Sequence, residues 1–107
     1  MRGFGGLGNM GQLMKQAQRM IEQSKRAMAE LENERVEATA GGGVVRAEVS
    51  GSGRLLAIEI KPEAVDPDDI ELLQDLVVSA VREAQEKADQ LRRERMTAIT
   101  GGLDLPF

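Results

Sequence analysis

The spacing of apolar residues changes at Arg35, and with it the kind of structure the chain can form. Ahead of that point Met10, Met14, Ala17, Ile21, Ser24, Met28 and Leu31 recur at intervals of 4, 3, 4, 3, 4 and 3. This is a heptad seam with one polar position. Leu13, Met20 and Ala27 widen it, and no Pro or Gly interrupts residues 12–35. The pattern predicts one amphipathic helix starting after Asn9 and ending near Asn33 or Glu34. From Arg35 the period is two. Val36, Ala38 and Ala40 alternate with Glu37 and Thr39; Val45, Ala47 and Val49 alternate with Arg46 and Glu48; Leu56, Ile58 and Ile60 complete the set. Gly41-Gly42-Gly43 and Gly51-Ser52-Gly53 separate these runs, which predicts a three-stranded antiparallel meander with tight turns.

Pro62 ends the last strand, and Asp66-Pro67-Asp68-Asp69 follows. Asp at the N-cap, Pro at N1 and acids in the first turn suit the free N–H groups at the start of a helix, so Asp66 is the expected cap. The stripe Ile70, Leu73, Val77, Ala80, Ala84, Ala88 and Leu91 carries that helix onward, with Leu72, Leu76, Val81, Met96 and Ile99 beside it, until Gly101-Gly102 stops it. The fold class is α+β with the order α-β-β-β-α. The 107 residues make one domain, in which residues 1–9 read as a flexible Gly-rich arm and 103–107 as a short tail.

Helices of roughly 24 and 32 residues exceed a sheet whose strands span about 20 Å. Their ends project or meet a partner. The expected arrangement is a homodimer in which the heptad face, the sheet edges or both are covered by a second copy, the face carrying Met10, Met14, Ala17, Ile21 and Met28. A monomer with frayed helix ends is the competing arrangement.

Composition removes most catalytic chemistry. The chain has no Cys and no His, hence no disulfide, no thiolate nucleophile and none of the commonest general base or metal ligand. No cofactor is expected. Gly3-x-Gly5-x-x-Gly8 and Gly6-x-Gly8-x-x-Gly11 match the dinucleotide pattern, but no strand precedes them. Asp66, Asp68 and Asp69 fail as a calcium loop, whose sixth and twelfth positions are here Glu71 and Val77. No Ser or Thr has a base partner, so the chain reads as a non-enzyme without a small-molecule substrate. Apolar runs such as Leu76-Val77-Val78 are far too short to span a bilayer, and the N-terminus lacks the apolar core of a signal peptide. No membrane contact and a cytoplasmic location are expected.

Net charge is −4, but it is unevenly spread. Residues 1–28 sum to +4 and residues 62–90 to −7, after which comes Arg92-Arg93-Glu94-Arg95. A local field of this kind, rather than the total, governs encounter with a charged partner. On the first helix Lys15, Arg19 and Arg26 share a face widened by Gln12, Gln16 and Gln23, with Lys25 about 100° from Arg26. On the second, Arg92 and Arg95 share a face and Arg93 lies beside it. Such stripes follow a phosphate backbone. With no Tyr or Trp, and Phe only at positions 4 and 107, stacking on single-stranded bases is not expected, so any nucleic-acid target is expected to be a duplex.

Several segments carry a resemblance that spans essentially the whole chain in order: Gly5-Gly6-Leu7-Gly8-Asn9-Met10, Leu13-Met14-Lys15-Gln16-Ala17-Gln18, Gly41-Gly42-Gly43-Val44-Val45, Glu94-Arg95-Met96 and Leu105-Pro106-Phe107. Together they resemble the YbaB/EbfC family of bacterial nucleoid-associated proteins. The resemblance implies an α-β-β-β-α protomer, a tweezer-like homodimer with helices protruding from a central sheet region, and non-catalytic binding of duplex DNA in the nucleoid. DNA contacts then fall to Lys15, Arg19, Lys25, Arg26, Arg92, Arg93 and Arg95, of which only Lys15 lies inside a matching motif. Glu22, Glu30, Glu32 and Glu34 on the first helix depart from the lysine-rich pattern. The expected function is compaction of the chromosome or an influence on transcription. The alternative is a protein–protein adaptor that receives a helix on the Met-rich seam.

Overall fold

The computed structural model describes the backbone of residues 2–101 and the side chains of residues 9–101. Helix α1 (Arg2–Glu32) leads into strands β1 (Arg35–Ala40), β2 (Val45–Ser50) and β3 (Leu55–Ile60); a 3-10 turn (Pro62–Ala64) and helix α2 (Ile70–Thr100) complete the chain. The α-β-β-β-α order and the single antiparallel sheet, β1-β2-β3, are those expected from the change of period.

Two boundaries differ from expectation. Helix α1 begins at Arg2 rather than after Asn9, so its backbone takes in the glycine-rich stretch read as an arm. Glycine weakens a helix by about 1 kcal/mol per residue relative to Ala but introduces no clash, and a helix already nucleated over residues 10–32 can propagate through it. The cap of α2 is Asp69 and not Asp66: Asp69 Oδ1 accepts from the Leu72 N–H at 3.2 Å. Asp66 instead closes a turn one step earlier, its Oδ1 accepting from the Asp68 N–H at 2.9 Å. Two Asx residues three apart can each receive such bonds, and sequence alone does not choose between them. At the other end Gly101 adopts φ +67, the left-handed cap expected there, and its N–H donates to Thr97 O. The tail read at 103–107 lies outside the described residues.

Helix α2 lies across β1 and β2 and scarcely touches β3. Its small residues Ala80, Ala84 and Ala88 meet Ala38, Val45, Ala47 and Val49, all buried. The alanine run in the second helix thus has a cause: it lets the helix settle close to the sheet. Beyond the reach of α2, Leu55, Ile58 and Ile60 of β3 stay exposed. The opposite, solvent-facing side of the sheet is laced by charge, with Arg46 bonded to both Glu37 and Glu59 and Arg35 3.5 Å from Glu48. Those two acids, Glu59 first, hold the Arg46 guanidinium above its ordinary pKa.

Among the described residues, helix α1 is anchored at its C-terminal end. Leu31 is fully buried and Ala27 nearly so, whereas Met10, Leu13, Met14 and Ile21 are more than half exposed. The anchor is Gly51 in the β2–β3 turn, whose N–H reaches Leu31 O at 2.8 Å and Glu34 O at 3.1 Å. A Cβ there would sit 2.6 Å from Leu31 O, so only glycine fits this approach. The result is a long molecule, 81 × 21 × 16 Å, whose radius of gyration of 21.3 Å compares with about 13 Å for a compact chain of this size.

Candidate nucleic-acid interface

Among the residues whose side chains are described, four cations lie on the projecting helix. Lys15, Arg19, Lys25 and Arg26 are all exposed, and among the described residues none of them has an ion pair or side-chain hydrogen bond. Lys15 and Arg19 line one polar groove with Gln12 and Gln16, as their helical spacing requires. Arg26 faces a second groove shared with Arg95, and Lys25 a third shared with Arg92. Their roughly 100° separation around α1 sends Lys25 and Arg26 to opposite sides of the α1–α2 junction. The structure therefore brings together the end of the α1 stripe and the arginines of α2, two groups carried by different helices.

Those arginines differ from the α1 cations in being engaged. Arg92 Nη2 stands 2.7 Å from Asp89 Oδ1, and Arg93 Nη2 bonds the other oxygen of the same carboxylate. The hydrogen bond from Arg92, first, and the charges of both guanidiniums hold the Asp89 carboxyl below its ordinary pKa. Arg95 Nη2 donates to Glu34 Oε1 at 2.6 Å, which raises the arginine above its usual value. This second pair ties α2 to the connection between α1 and β1, beside the anchor of the projecting helix. Sequence reasoning placed the arginines but missed their acids. Asp89 precedes Arg92 and Arg93 by three and four residues, a signal legible on any helix; Glu34 and Arg95 are 61 residues apart and give none.

The third groove is apolar on its floor, with Ile21, Met28 and Met96 below Lys25 and Arg92; Ser24 Oγ is buried there without a partner. Ile21 and Met28, with the exposed Met10, Met14 and Ala17, form the face expected to meet a second copy. Among the described residues no helix is long and apolar enough to cross a membrane.

The sequence profile of the YbaB/EbfC DNA-binding family matches residues 6–103. The chain belongs to this family. It is 46% identical over 104 residues to a nucleoid-associated protein of Alkaliphilus metalliredigens, covering 97% of this chain and 91% of that one. With a nucleoid-associated protein of Ruminiclostridium cellulolyticum it shares 52% identity over 101 residues, 94% and 86% of the two chains. Among solved structures, an uncharacterized protein of Helicobacter pylori matches with a TM-score of 0.75 at 20% identity, over 85% of this chain and 96% of that one. That last similarity is one of fold.

Proposed function

We propose that this protein is a non-catalytic, nucleoid-associated DNA-binding protein that grips duplex DNA as a homodimer. The observation that carries the reading is the set of four exposed, unpaired cations on a helix that stands clear of the rest of the molecule. Family membership and relatives named as nucleoid-associated proteins support the same partner. Lys15, Arg19, Lys25 and Arg26 are free to meet phosphates at once. Arg92, Arg93 and Arg95 must first exchange a carboxylate for a phosphate, so they contribute less. Phosphate contacts carry affinity without reading bases, and any sequence preference comes from groove contacts by Gln and Arg or from DNA shape.

Self-association is assigned to Met10, Met14, Ala17, Ile21 and Met28, which also suited an adaptor for a foreign helix, together with the uncovered Leu55, Ile58 and Ile60 of β3. Two separate exposed apolar surfaces on one small chain are of the kind that marks an interface with another chain. A dimer so built sets two α1 helices beside one duplex and doubles the free cations that face it, so the local positive field, rather than the net charge of −4 per chain, meets the phosphates. Compaction of the chromosome and an effect on transcription follow from coating or bridging by such a clamp.

The test is fluorescence anisotropy of a labelled duplex titrated with protein over a range of salt. Log K should fall linearly with log salt at a slope near −0.9 per phosphate, for about four to eight phosphates. Absence of saturable binding at low salt contradicts the reading.

A further inference from the structure

We propose that Asp89 is an electrostatic latch on the α2 arginines, a residue that limits DNA affinity by occupying two guanidiniums that would otherwise meet phosphate. The inference rests on the DNA-binding reading above. Its basis is a geometry that, among the described residues, no other acid shares with the candidate interface. Both oxygens of one carboxylate are taken, each by a different arginine, Oδ1 by Arg92 and Oδ2 by Arg93. A single negative charge therefore restrains two positive ones. Arg92 also lines the groove occupied by Lys25, so a released Arg92 joins the row of free cations on α1 rather than standing apart from it.

The latch is built to open. Asp89 is 37% exposed, Arg92 35% and Arg93 72%, so water and a competing anion reach the bonds. Exposed ion pairs of this kind contribute little to folding, and their exchange for phosphate oxygens is a small step. Asp N-terminal to Arg at three and four residues is also the favoured order along a helix, so the closed state forms locally, without help from the rest of the fold. The Glu34–Arg95 pair behaves differently because it joins two elements, and opening it disturbs the anchor of α1. Asp89 is thus an acid that restrains the basic cluster without holding the structure together.

The experiment compares full-length wild type, Asp89→Asn and Glu86→Gln by anisotropy on one labelled duplex of about 20 base pairs, from low to moderate salt. Glu86 is exposed, lies one turn earlier on α2 and has no ion pair, so its variant makes the same change of net charge without touching an arginine. Asp89→Asn should bind about three- to tenfold more tightly at low salt, with a log–log salt slope steeper by about one to two units of 0.9. Glu86→Gln should change affinity by less than about twofold. Adding Arg92→Gln and Arg93→Gln to Asp89→Asn should abolish the gain, while the same two changes in wild type should cost far less. Asp89→Ser repeats the test if the asparagine variant folds poorly by circular dichroism. Binding by wild type with no gain in either Asp89 variant, or an equal gain in Glu86→Gln, overturns the latch and leaves the DNA reading standing. No binding by any of the proteins overturns both.

Discussion

Gly51 and Leu31 decide where the projecting helix is attached. The Gly51 N–H is shared between Leu31 O and Glu34 O, and the space its missing side chain leaves is filled by Leu31 itself, with Cδ2 2.9 Å from where a Cβ would sit. Gly51→Ala forces the β2–β3 turn away from the end of α1, at a cost of about 1–3 kcal/mol. Urea unfolding followed by circular dichroism measures this, and a loss below about 0.5 kcal/mol contradicts the close contact. Leu31→Ala removes the fully buried side chain on the other side of that contact, for an expected loss of about 2–5 kcal/mol. At the start of α2, Asp69→Ala should cost about 1 kcal/mol through the lost bond to the Leu72 N–H. If Asp66→Ala costs substantially more than Asp69→Ala, the cap lies at Asp66 after all.

At the scale of elements, all three strands and both long helices were legible because each carries its own hydrophobic period, and the glycines that separate the strands mark the turns. What was not legible depends on contacts between elements. The start of α1 at Arg2 reflects propagation from a nucleated helix, which no local residue announces. The exposure of Leu55, Ile58 and Ile60 follows from α2 lying over β1 and β2, a choice the alternation within β3 does not encode. Of the candidate site, the α1 cations and their spacing were visible, and so in principle was Asp89 beside Arg92 and Arg93. The Glu34–Arg95 bond was not, since it joins residues far apart in sequence. The ion pairs also set the response to acid. With its pKa depressed by Arg92 and Arg93, Asp89 contributes a small increment of stability above the unfolded-state carboxylate value of about 4 and loses it as pH falls through its lower folded value. Arg46 and Arg95 have raised values, so their contributions are complete across the neutral range and up to the ordinary arginine range. The chain contains no histidine. Thermal melts should therefore show a flat midpoint between about pH 6 and 9 and a fall below about pH 4. A transition near pH 6.5 contradicts this balance.

The whole molecule is an anchored lever: a small sheet and α2 hold one end of α1, and the other end carries free cations and an uncovered apolar seam. That division ties affinity to assembly, because among the described residues each copy brings four unrestrained cations on α1. Sedimentation equilibrium should report a dimer, and Met14→Lys with Ile21→Lys should shift it toward monomer while leaving the far-UV spectrum of the sheet region intact. A monomeric wild type at concentrations well above the DNA-binding range removes the clamp. The most direct test of the central claim is the affinity of the Lys15→Glu, Arg19→Glu variant for duplex DNA, measured beside wild type at low salt with folding and oligomeric state checked in parallel. The account predicts a loss of at least about a hundredfold and a salt slope shallower by about two phosphate contacts per protomer. An unchanged affinity in a folded dimer would contradict it.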